Sequence, residues 1–427
     1  MGTPASDSRA AFRYPDFRYF IGYRVLSVLS SEMQAVAVGW QVYELTRQPL
    51  DLGFVGLAQF LPGILLFLVA GHAADRIPRR TILLACLGGL STASLLLLAF
   101  TVRGVQRVYP IYLILLLNGA ARAFSQPAAQ ALLPTLVAER HFPNSVAWSS
   151  STFRTATIVG PIAGGLLYGF SHSPAVVYAF AVVAYLAALV LTSRIRRTPV
   201  TRPPRAVAPE MVLEGFKYLW SNKLILGAIS LDLFAVLLGG AVALLPVYAS
   251  DVLYVGETGL GLLRCAPGVG AVLTALLLAH RPLGRRQGGL MLWCVFGFGL
   301  FTVVFGVSRS MAVSLVALAF AGACDMVSVV VRSTMVQLGT PDHMRGRVSA
   351  VNTMFIGASN EMGQFESGIT AQWFGTVPAV ILGGLGTMAV VAAWVKLFPQ
   401  LREERPEAVP TRLGSGGPQN RPRSRRI

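Results

Sequence analysis

Residues 174–210 read PAVVYAFAVVAYLAALVLTSRIRRTPVTRPPRAVAPE. The stretch before Arg194 contains no charged residue, and it is long enough to cross a bilayer as a helix, which takes about 20 mostly apolar residues. The remainder is rich in proline and arginine and lies at the middle of the chain. The stretch therefore predicts a membrane-spanning helix followed by a polar linker between two halves of the protein.

The same pattern of apolar runs separated by short polar connections extends over most of the 427 residues. Hydrophobic residues make up 54% of the chain and charged residues 13%, with a mean hydropathy of +0.60, whereas a soluble protein has about 25% charged residues. We therefore expect an all-α membrane protein with twelve transmembrane helices. The predicted spans are 17–43, 52–72, 82–102, 108–133, 146–170, 174–194, 222–249, 257–280, 288–306, 310–337, 348–373 and 377–398.

The two halves of the chain resemble each other. A shift of 205 residues places Gly56 and Pro62 on Gly261 and Pro267, and a shift of 203 places Gly165 on Gly368. Repeats of this kind place the binding site of a transporter at their interface, near the middle of the membrane. We expect two pseudo-symmetric six-helix bundles, arranged as a cytoplasmic segment 1–16, an N-terminal bundle 17–194, a cytoplasmic linker 195–221, a C-terminal bundle 222–398 and a disordered basic tail 399–427.

The positive charge of the protein is unevenly distributed. Of 36 Lys and Arg residues, 27 lie in the N-terminus, the even-numbered connections and the C-terminal tail, and the odd-numbered connections carry four. By the positive-inside rule both termini are cytoplasmic. The excess of Arg over Lys is typical of a high-GC bacterium, so we expect a multi-pass protein of the bacterial inner membrane, in contact with lipid. The net charge of +17 is therefore topogenic, and we expect no nucleic acid partner.

The connection between the second and third spans reads GHAADRIPRR, from Gly71 to Arg80. It resembles the signature loop of the major facilitator superfamily, G-x-x-x-D-R-x-G-R-R/K, with Pro78 in place of the usual glycine. The resemblance implies that this loop ties the two halves together at the cytoplasmic side when the transporter opens outward. Asp75 would accept hydrogen bonds from Arg80 or from a facing helix N-terminus. The gating residues implied are Gly71, Asp75, Arg76, Arg79 and Arg80; a plain basic turn is the alternative.

The fifth span carries Gly160-Pro161-x-x-Gly164-Gly165. This is similar to the core of the antiporter motif of the exporters in this superfamily, although the earlier glycines of that motif are missing. Small residues at this spacing allow helices to pack closely, which is the alternative explanation. With the stretches NGAARAFSQPAAQALLP and TPDHMRGRVSAVNTMFIGASNEMGQFESG, the chain resembles the branch of transmembrane secretion effectors, which contains enterobactin exporters and macrolide efflux proteins.

Charged residues inside the predicted spans need a reason, since a charge at the bilayer centre costs at least about 2.5 kcal/mol. Proton coupling requires a carboxyl group that gains and loses a proton near neutral pH, and burial favours the protonated form. Glu32 is the first candidate because no basic residue lies within one helical turn of it. Asp325, Asp232 and Glu361 are the further candidates. For each carboxylate the alternative is a purely structural ion pair.

The candidates for the cavity and for substrate contact are Arg122, Arg332, Trp40 and Phe60. Arginine suits carboxylates and phosphates, so the two arginines are candidates for meeting an anionic substrate; pairing with the buried acids is the alternative. Arg122 and Asp325 occupy equivalent places in the two halves, which predicts that they face each other near the pseudo-twofold axis. The aromatic residues would form an apolar wall, or else belong to aromatic belts near the helix ends.

Several functions are excluded or disfavoured. No G-x-x-x-x-G-K-S/T pattern occurs, and the residues show no arrangement for catalysis, so we expect neither an ATPase nor another enzyme. No cofactor and no metal site are indicated. The hypothesis is a secondary active transporter, a proton-coupled exporter of a small amphipathic molecule by alternating access, for which a monomer suffices. An importer of a small metabolite and a non-transporting membrane binding or sensor protein are the alternatives.

Overall fold

The computed structural model describes residues 9–66, 69, 70, 73, 76–104, 106–196, 209–280 and 287–402. These residues contain thirteen helices of eight residues or more and no strand. The helices are α1 (Pro15–Thr46), α2 (Pro49–Leu65), α3 (Arg79–Val102), α4 (Tyr109–Leu132), α5 (Phe142–Ser171), α6 (Pro174–Arg194), α7 (Pro209–Ser221), α8 (Lys223–Leu238), α9 (Gly256–His280), α10 (Gln287–Val307), α11 (Met311–Gly339), α12 (Asp342–Phe374) and α13 (Thr376–Leu397).

Twelve of these helices correspond one to one with the twelve predicted spans, which confirms the predicted fold class. The break after α8 at Gly239 and Gly240 is followed by further helical turns through 241–252, so that this span is bent rather than straight. Seven spans, including the bent Lys223–Val252, are long and apolar enough to cross a membrane by length and composition. The long helices α1, α4, α5 and α12 fall outside that group because they carry more of the polar residues.

Proline and capping residues mark where several helices begin. Proline stands in the first turn of α1, α2, α4, α5 and α6, where a missing N–H leaves no hydrogen bond unmade. The Ser173 side chain accepts a hydrogen bond from the Ala175 N–H at the start of α6, and Asn222 does the same for Ile225 at the start of α8. The short connections between spans follow from these signals.

The helices pack in the same pattern in the two halves. In the first half α1 packs against α5 and α6, α3 against α4 and α6, and α2 against α4. In the second half α8 packs against α12 and α13, α10 against α11 and α13, and α9 against α11. Each contact in one half thus has its counterpart in the other, as the sequence repeat predicts. The two six-helix bundles are pseudo-symmetric.

The halves meet along two helix pairs, α5 with α9 and α2 with α12, and glycine allows the backbones to touch. An added Cβ on Gly165 would lie 2.8 Å from the Cα of Gly261. In the other pair an added Cβ on Gly368 would lie 3.0 Å from the Cα of Gly53. No side chain larger than hydrogen fits between the backbones at these two points, so the helices of each pair approach closely there.

One end of the molecule joins the halves through apolar packing. We call it the odd-loop end; it carries the connections 47–48, 103–108, 172–173, 253–255 and 308–310. The largest buried apolar cluster combines side chains of both halves there, among them Val42, Leu244 and Leu260. At the opposite, even-loop end, each apolar cluster contains residues of one half, such as Phe20 in the first and Met291 in the second. The described conformation is therefore closed at the odd-loop end.

Helix α7 is an addition to the predicted arrangement, because its residues fall in the segment expected to be a linker. Phe216 stacks edge-on against Phe355 of α12 at 5.4 Å, and Tyr218 donates a hydrogen bond to the Gly339 carbonyl at 3.0 Å. Glu214 forms an ion pair with Arg347 of α12. Helix α7 is thus attached to the C-terminal half through Glu214, Phe216 and Tyr218.

Aromatic side chains are exposed near both ends of the helix bundle. Tyr109, Tyr254 and Trp373 are at least 73% exposed at the odd-loop end. Trp220 and Trp293 are at least 74% exposed near the even-loop end. This arrangement is typical of the two belts that Trp and Tyr form at membrane interfaces.

We expect the substitution Gly165→Val to lower the thermal stability of the purified protein, because the valine Cβ would meet the backbone of α9. Overpacking of this kind costs about 1 to 3 kcal/mol. Thermal unfolding in detergent would measure the effect. The matched control is Gly88→Val on α3, where an added Cβ has no atom within 4 Å. Equal melting temperatures for the two variants would contradict a close α5–α9 contact.

Candidate functional site

Four ionisable side chains from four helices come together near the middle of the bundle; we call them the central charge cluster. They are Glu32 on α1, Arg122 on α4, Arg264 on α9 and Glu361 on α12. Arg264 lies within electrostatic range of both carboxylates and of Arg122, and Glu361 lies within range of both arginines. All four side chains are partly exposed. Two positive and two negative charges from both halves therefore share one accessible region.

Hydrogen bonds hold this cluster in place. The Arg264 guanidinium donates to the Ala35 carbonyl at 3.3 Å, which links the C-terminal half to α1 of the N-terminal half. Arg122 donates to the Gln59 side chain at 3.1 Å, and Gln364 donates to Glu361 at 3.1 Å. The guanidinium groups are thus oriented by neutral oxygen acceptors, and within the described residues neither carboxylate forms an ion pair at 4.0 Å or less.

The glycines of α5 explain how Glu32 is accommodated. An added Cβ on Gly160 would lie 2.5 Å from the Cβ of Glu32, and one on Gly164 would lie 2.8 Å from the Cα of Met33. Gly165 faces α9 instead. The antiporter-like stretch of α5 therefore packs against Glu32, the proton-coupling candidate, through Gly160. Through Gly165 it packs against α9 of the other half. Pro161 contributes its carbonyl to the same contact, 2.6 Å from an added Cβ on Gly261.

Asp232 and Arg332 form an ion pair between α8 and α11 inside the C-terminal half. Both residues are buried, with 6% and 2% of their surface exposed. A buried pair of this kind neutralises two charges that neither lipid nor apolar side chains would solvate. In the described conformation this carboxylate and this guanidinium have each other as partners, away from the central charge cluster.

Asp325 is half-buried on α11 and lies within electrostatic range of Arg154 on α5. Arg122, its counterpart in the N-terminal half, has Gln59 and Glu361 as its neighbours instead. The structure thus does not bring Arg122 and Asp325 together. Equivalent positions in the two halves face different partners because the contacts across the interface run along α5–α9 and α2–α12.

The aromatic candidates occupy different environments. Trp40 is buried in the apolar cluster that joins the halves at the odd-loop end, whereas Phe60 is half-buried on α2. Near Trp40, Tyr43 donates a hydrogen bond to Asp251 of the other half, and Arg47 forms an ion pair with the same carboxylate at 3.5 Å. Trp40 therefore helps to close the odd-loop end in the described conformation, as part of the apolar cluster that joins the halves.

The signature loop is described only in part. Gly71 and Asp75 lie outside the described residues. Arg76 is exposed, and Arg79 is half-buried at the first turn of α3. The Arg80 guanidinium donates to the backbone carbonyls of Thr192, at 3.2 Å, and Ser193. Arg80 thus connects the start of α3 to the end of α6 within the N-terminal half.

Sequence reasoning missed Gln59 and Gln364, which supply neutral hydrogen-bonding groups to the central charge cluster. A signal for Gln59 existed in the repeat: a shift of 205 residues places Gln59 on Arg264. The cluster is also separate from a cavity of about 470 Å³ at the even-loop end. That cavity is lined by Tyr218, Ser221, Asn222, Lys223, Leu224 and Gln400, and none of the charged candidates contributes to it.

Comparison with known proteins agrees with this architecture. The family model described as transmembrane secretion effector matches residues 6–412. The enterobactin exporter EntS of Shigella boydii is 27% identical over 383 residues, which cover 89% of this chain and 87% of that protein. The enterobactin exporter of Escherichia coli O139:H28 has the same identity and coverage.

Solved structures share the fold at low sequence identity. The nucleoside transporter NupG matches with a TM-score of 0.72 and 13% identity, covering 90% of this chain and 99% of that one. A bacterial homologue of the iron transporter ferroportin, in an inward-facing state, matches with a TM-score of 0.67 and 16% identity, covering 89% and 98%. The resemblance seen in the sequence is thereby confirmed, and the chain belongs to the transmembrane secretion effector family of major facilitator transporters, membrane proteins that are not enzymes.

Proposed function

We propose that this secondary transporter exports a small amphipathic molecule, such as a drug, a siderophore or a secondary metabolite, in exchange for protons. The central charge cluster is the observation that carries the proposal. Ionisable groups of both halves meet there at mid-span and remain partly exposed, which is where the binding site of a two-fold repeated transporter is expected. Such groups inside a membrane protein mark substrate pathways and proton relays.

The transport cycle in this proposal is alternating access. The bundles 17–194 and 222–398 rock against each other along the glycine contacts of α5–α9 and α2–α12, and the segment 195–221 connects them. We place both termini in the cytoplasm of a bacterial cell, on the basis of the Lys and Arg distribution. The odd-loop end then faces outward, and the described conformation is open toward the cytoplasm. One chain contains both halves of the site, so a monomer suffices.

Export, rather than uptake, is supported by the relatives, whose names describe them as exporters of enterobactin. The antiporter-like glycines of α5 are consistent with it, since they pack directly against Glu32. Uptake remains the alternative, and the direction of transport in inside-out vesicles separates the two.

Within the cluster, we assign the coupling proton to Glu32. Its neighbours among the described residues are a glycine of α5, the Arg264 guanidinium and Tyr185, and no direct ion pair of Glu32 is found among them. Glu361, Asp325 and Asp232 are the further candidates, of which Asp232 is already paired. Arg122 is the candidate for contact with the substrate, with Phe60 on the neighbouring helix α2.

We expect the proposed topology to appear in cysteine labelling. In a variant without the four native cysteines, a cysteine at Tyr254 should react with a membrane-impermeant maleimide added to intact spheroplasts. A cysteine at Trp220 should react only after permeabilisation. Both positions are at least 75% exposed, so accessibility reports the side of the membrane. The reverse labelling pattern would overturn the assigned orientation.

We expect Glu32→Gln to abolish proton-driven transport, because glutamine cannot gain or lose a proton. In proteoliposomes with an imposed proton gradient, uphill transport should fall to the background of protein-free vesicles, whereas downhill exchange of substrate should persist. The matched control is Glu366→Gln on α12, the same chemical change at a carboxylate that accepts a hydrogen bond from Thr370. Full uphill transport by Glu32→Gln would sink the assignment.

The substrate for this assay comes from a panel of siderophores, macrolides and cationic dyes. A pump-deficient bacterium that produces the protein should lose at least one of them in a protonophore-sensitive manner. Efflux that persists unchanged with the protonophore would contradict proton coupling.

A further inference from the structure

Among the hydrogen bonds of the described residues, that of Arg264 joins the central charge cluster to the opposite half. Arg264 lies on α9 of the C-terminal half, and its guanidinium donates to the Ala35 carbonyl, three residues beyond Glu32 on α1. A guanidinium held at this backbone position, one helical turn from Glu32, lies within electrostatic range of the carboxylates of Glu32 and Glu361. Its position relative to Glu32 therefore depends on how the two halves are oriented.

Two further described residues near Glu32 belong to its own half. Gly160 of α5 contributes only backbone, and Tyr185 of α6 lies within electrostatic range of Glu32. The remaining charges around α9 have their own neighbours: Arg154 of α5 lies near Asp325 of α11, and Arg332 of α11 is paired with Asp232. Arg122 of α4 is bonded to Gln59 and interacts with Glu361. Within the described part of the chain, Arg264 is thus the cation of the other half whose interaction with Glu32 is seen.

The repeat makes this arrangement asymmetric. Gln59 stands at the position equivalent to Arg264, and it is bonded within its own half by Arg122. The N-terminal half therefore presents a neutral amide where the C-terminal half presents a permanent positive charge. Of these two equivalent positions, only 264 therefore carries a positive charge that acts on a carboxylate of the other half.

We infer that Arg264 is a positioning residue that links the protonation of Glu32 to the opening of the odd-loop end. This inference rests on the proposed exchange of protons for substrate. In the described conformation the guanidinium of Arg264, held at the Ala35 carbonyl, is the opposite charge that the C-terminal half brings to Glu32. When the halves separate at the odd-loop end, α9 moves away from α1, and the carboxylate loses its counter-charge and takes a proton from that side. When the halves close again, Arg264 returns and the proton leaves toward the even-loop side.

The test measures conformation without any substrate. Spin labels at Phe170→Cys and Trp373→Cys, equivalent exposed positions at the odd-loop end of α5 and α12, report the separation of the halves in a protein free of native cysteines. In lipid nanodiscs, the ratio of open to closed molecules should rise about tenfold as the pH falls from about 8 to about 5, because protonated Glu32 no longer attracts Arg264.

Arg264→Gln creates the amide of the equivalent position and should remove this response. The ratio of open to closed molecules should then change less than about twofold over the same pH range, with the open form already raised at high pH. Arg264→Lys keeps the charge and should restore most of the response. Glu32→Gln should also be insensitive to pH, and adding Arg264→Gln to it should have no further effect, since both changes remove the same interaction.

The matched control is Arg154→Gln, which removes a charge of the same kind from a neighbouring helix whose field acts on Asp325. It should keep the wild-type pH response. A wild-type response in Arg264→Gln, or the absence of any response in the wild type, would overturn the role of Arg264. Protonophore-sensitive efflux by the wild type tests the proposed function separately, so the two failures are distinguishable.

Discussion

Hydrocarbon offers no solvation to a charge, and this constraint governs where the ionisable side chains of this protein lie. Several described charged groups within the spans have a compensating neighbour: a direct ion pair for Asp232 and Arg332, neutral acceptors for Arg122 and Arg264, and an aromatic ring for Arg24, which lies over Phe153 at 5.3 Å. The buried pair of Asp232 and Arg332 lies within one half. The partly exposed groups gather between the halves, where their environment changes when the halves move.

The contact between the halves follows from a second constraint. The two bundles move against each other in the proposed cycle, and at α5–α9 and α2–α12 their backbones meet at glycines. Close contact through glycine is typical of helix pairs in membranes. The apolar cluster and the Tyr43, Arg47 and Asp251 contacts then decide which end is closed, because they can form only when the odd-loop ends of the halves are together.

The fold could be predicted from the sequence because each span can be recognised by its own hydropathy and by the charges of the loops beside it. No knowledge of the packing between spans is needed. Helix α7 was missed since its apolar residues are too few for a span and follow a Pro- and Arg-rich stretch; its helical structure depends on packing against α12.

The site was predicted in part. Glu32 and Gly160 were both identified, yet their contact is a property of two helices in space. The repeat places Arg122 and Asp325 at equivalent positions, but residues at equivalent positions need not contact each other. The ion pair of Asp232 with Arg332 joins two helices that are far apart in the sequence, and residue spacing does not reveal it.

The exposed Tyr and Trp side chains at the two ends of the bundle have a consequence for the surrounding lipid. Tyr254 and Trp373 at one end and Trp220 and Trp293 at the other are anchors that prefer the headgroup level. Rocking of the halves tilts the helices that carry these anchors, so their distance along the membrane normal changes during the cycle. Mismatch with the hydrocarbon layer costs fractions of a kcal/mol per ångström. The acyl-chain length of the lipids therefore shifts the equilibrium between the conformations of the transport cycle. Thin and thick bilayers favour different conformations.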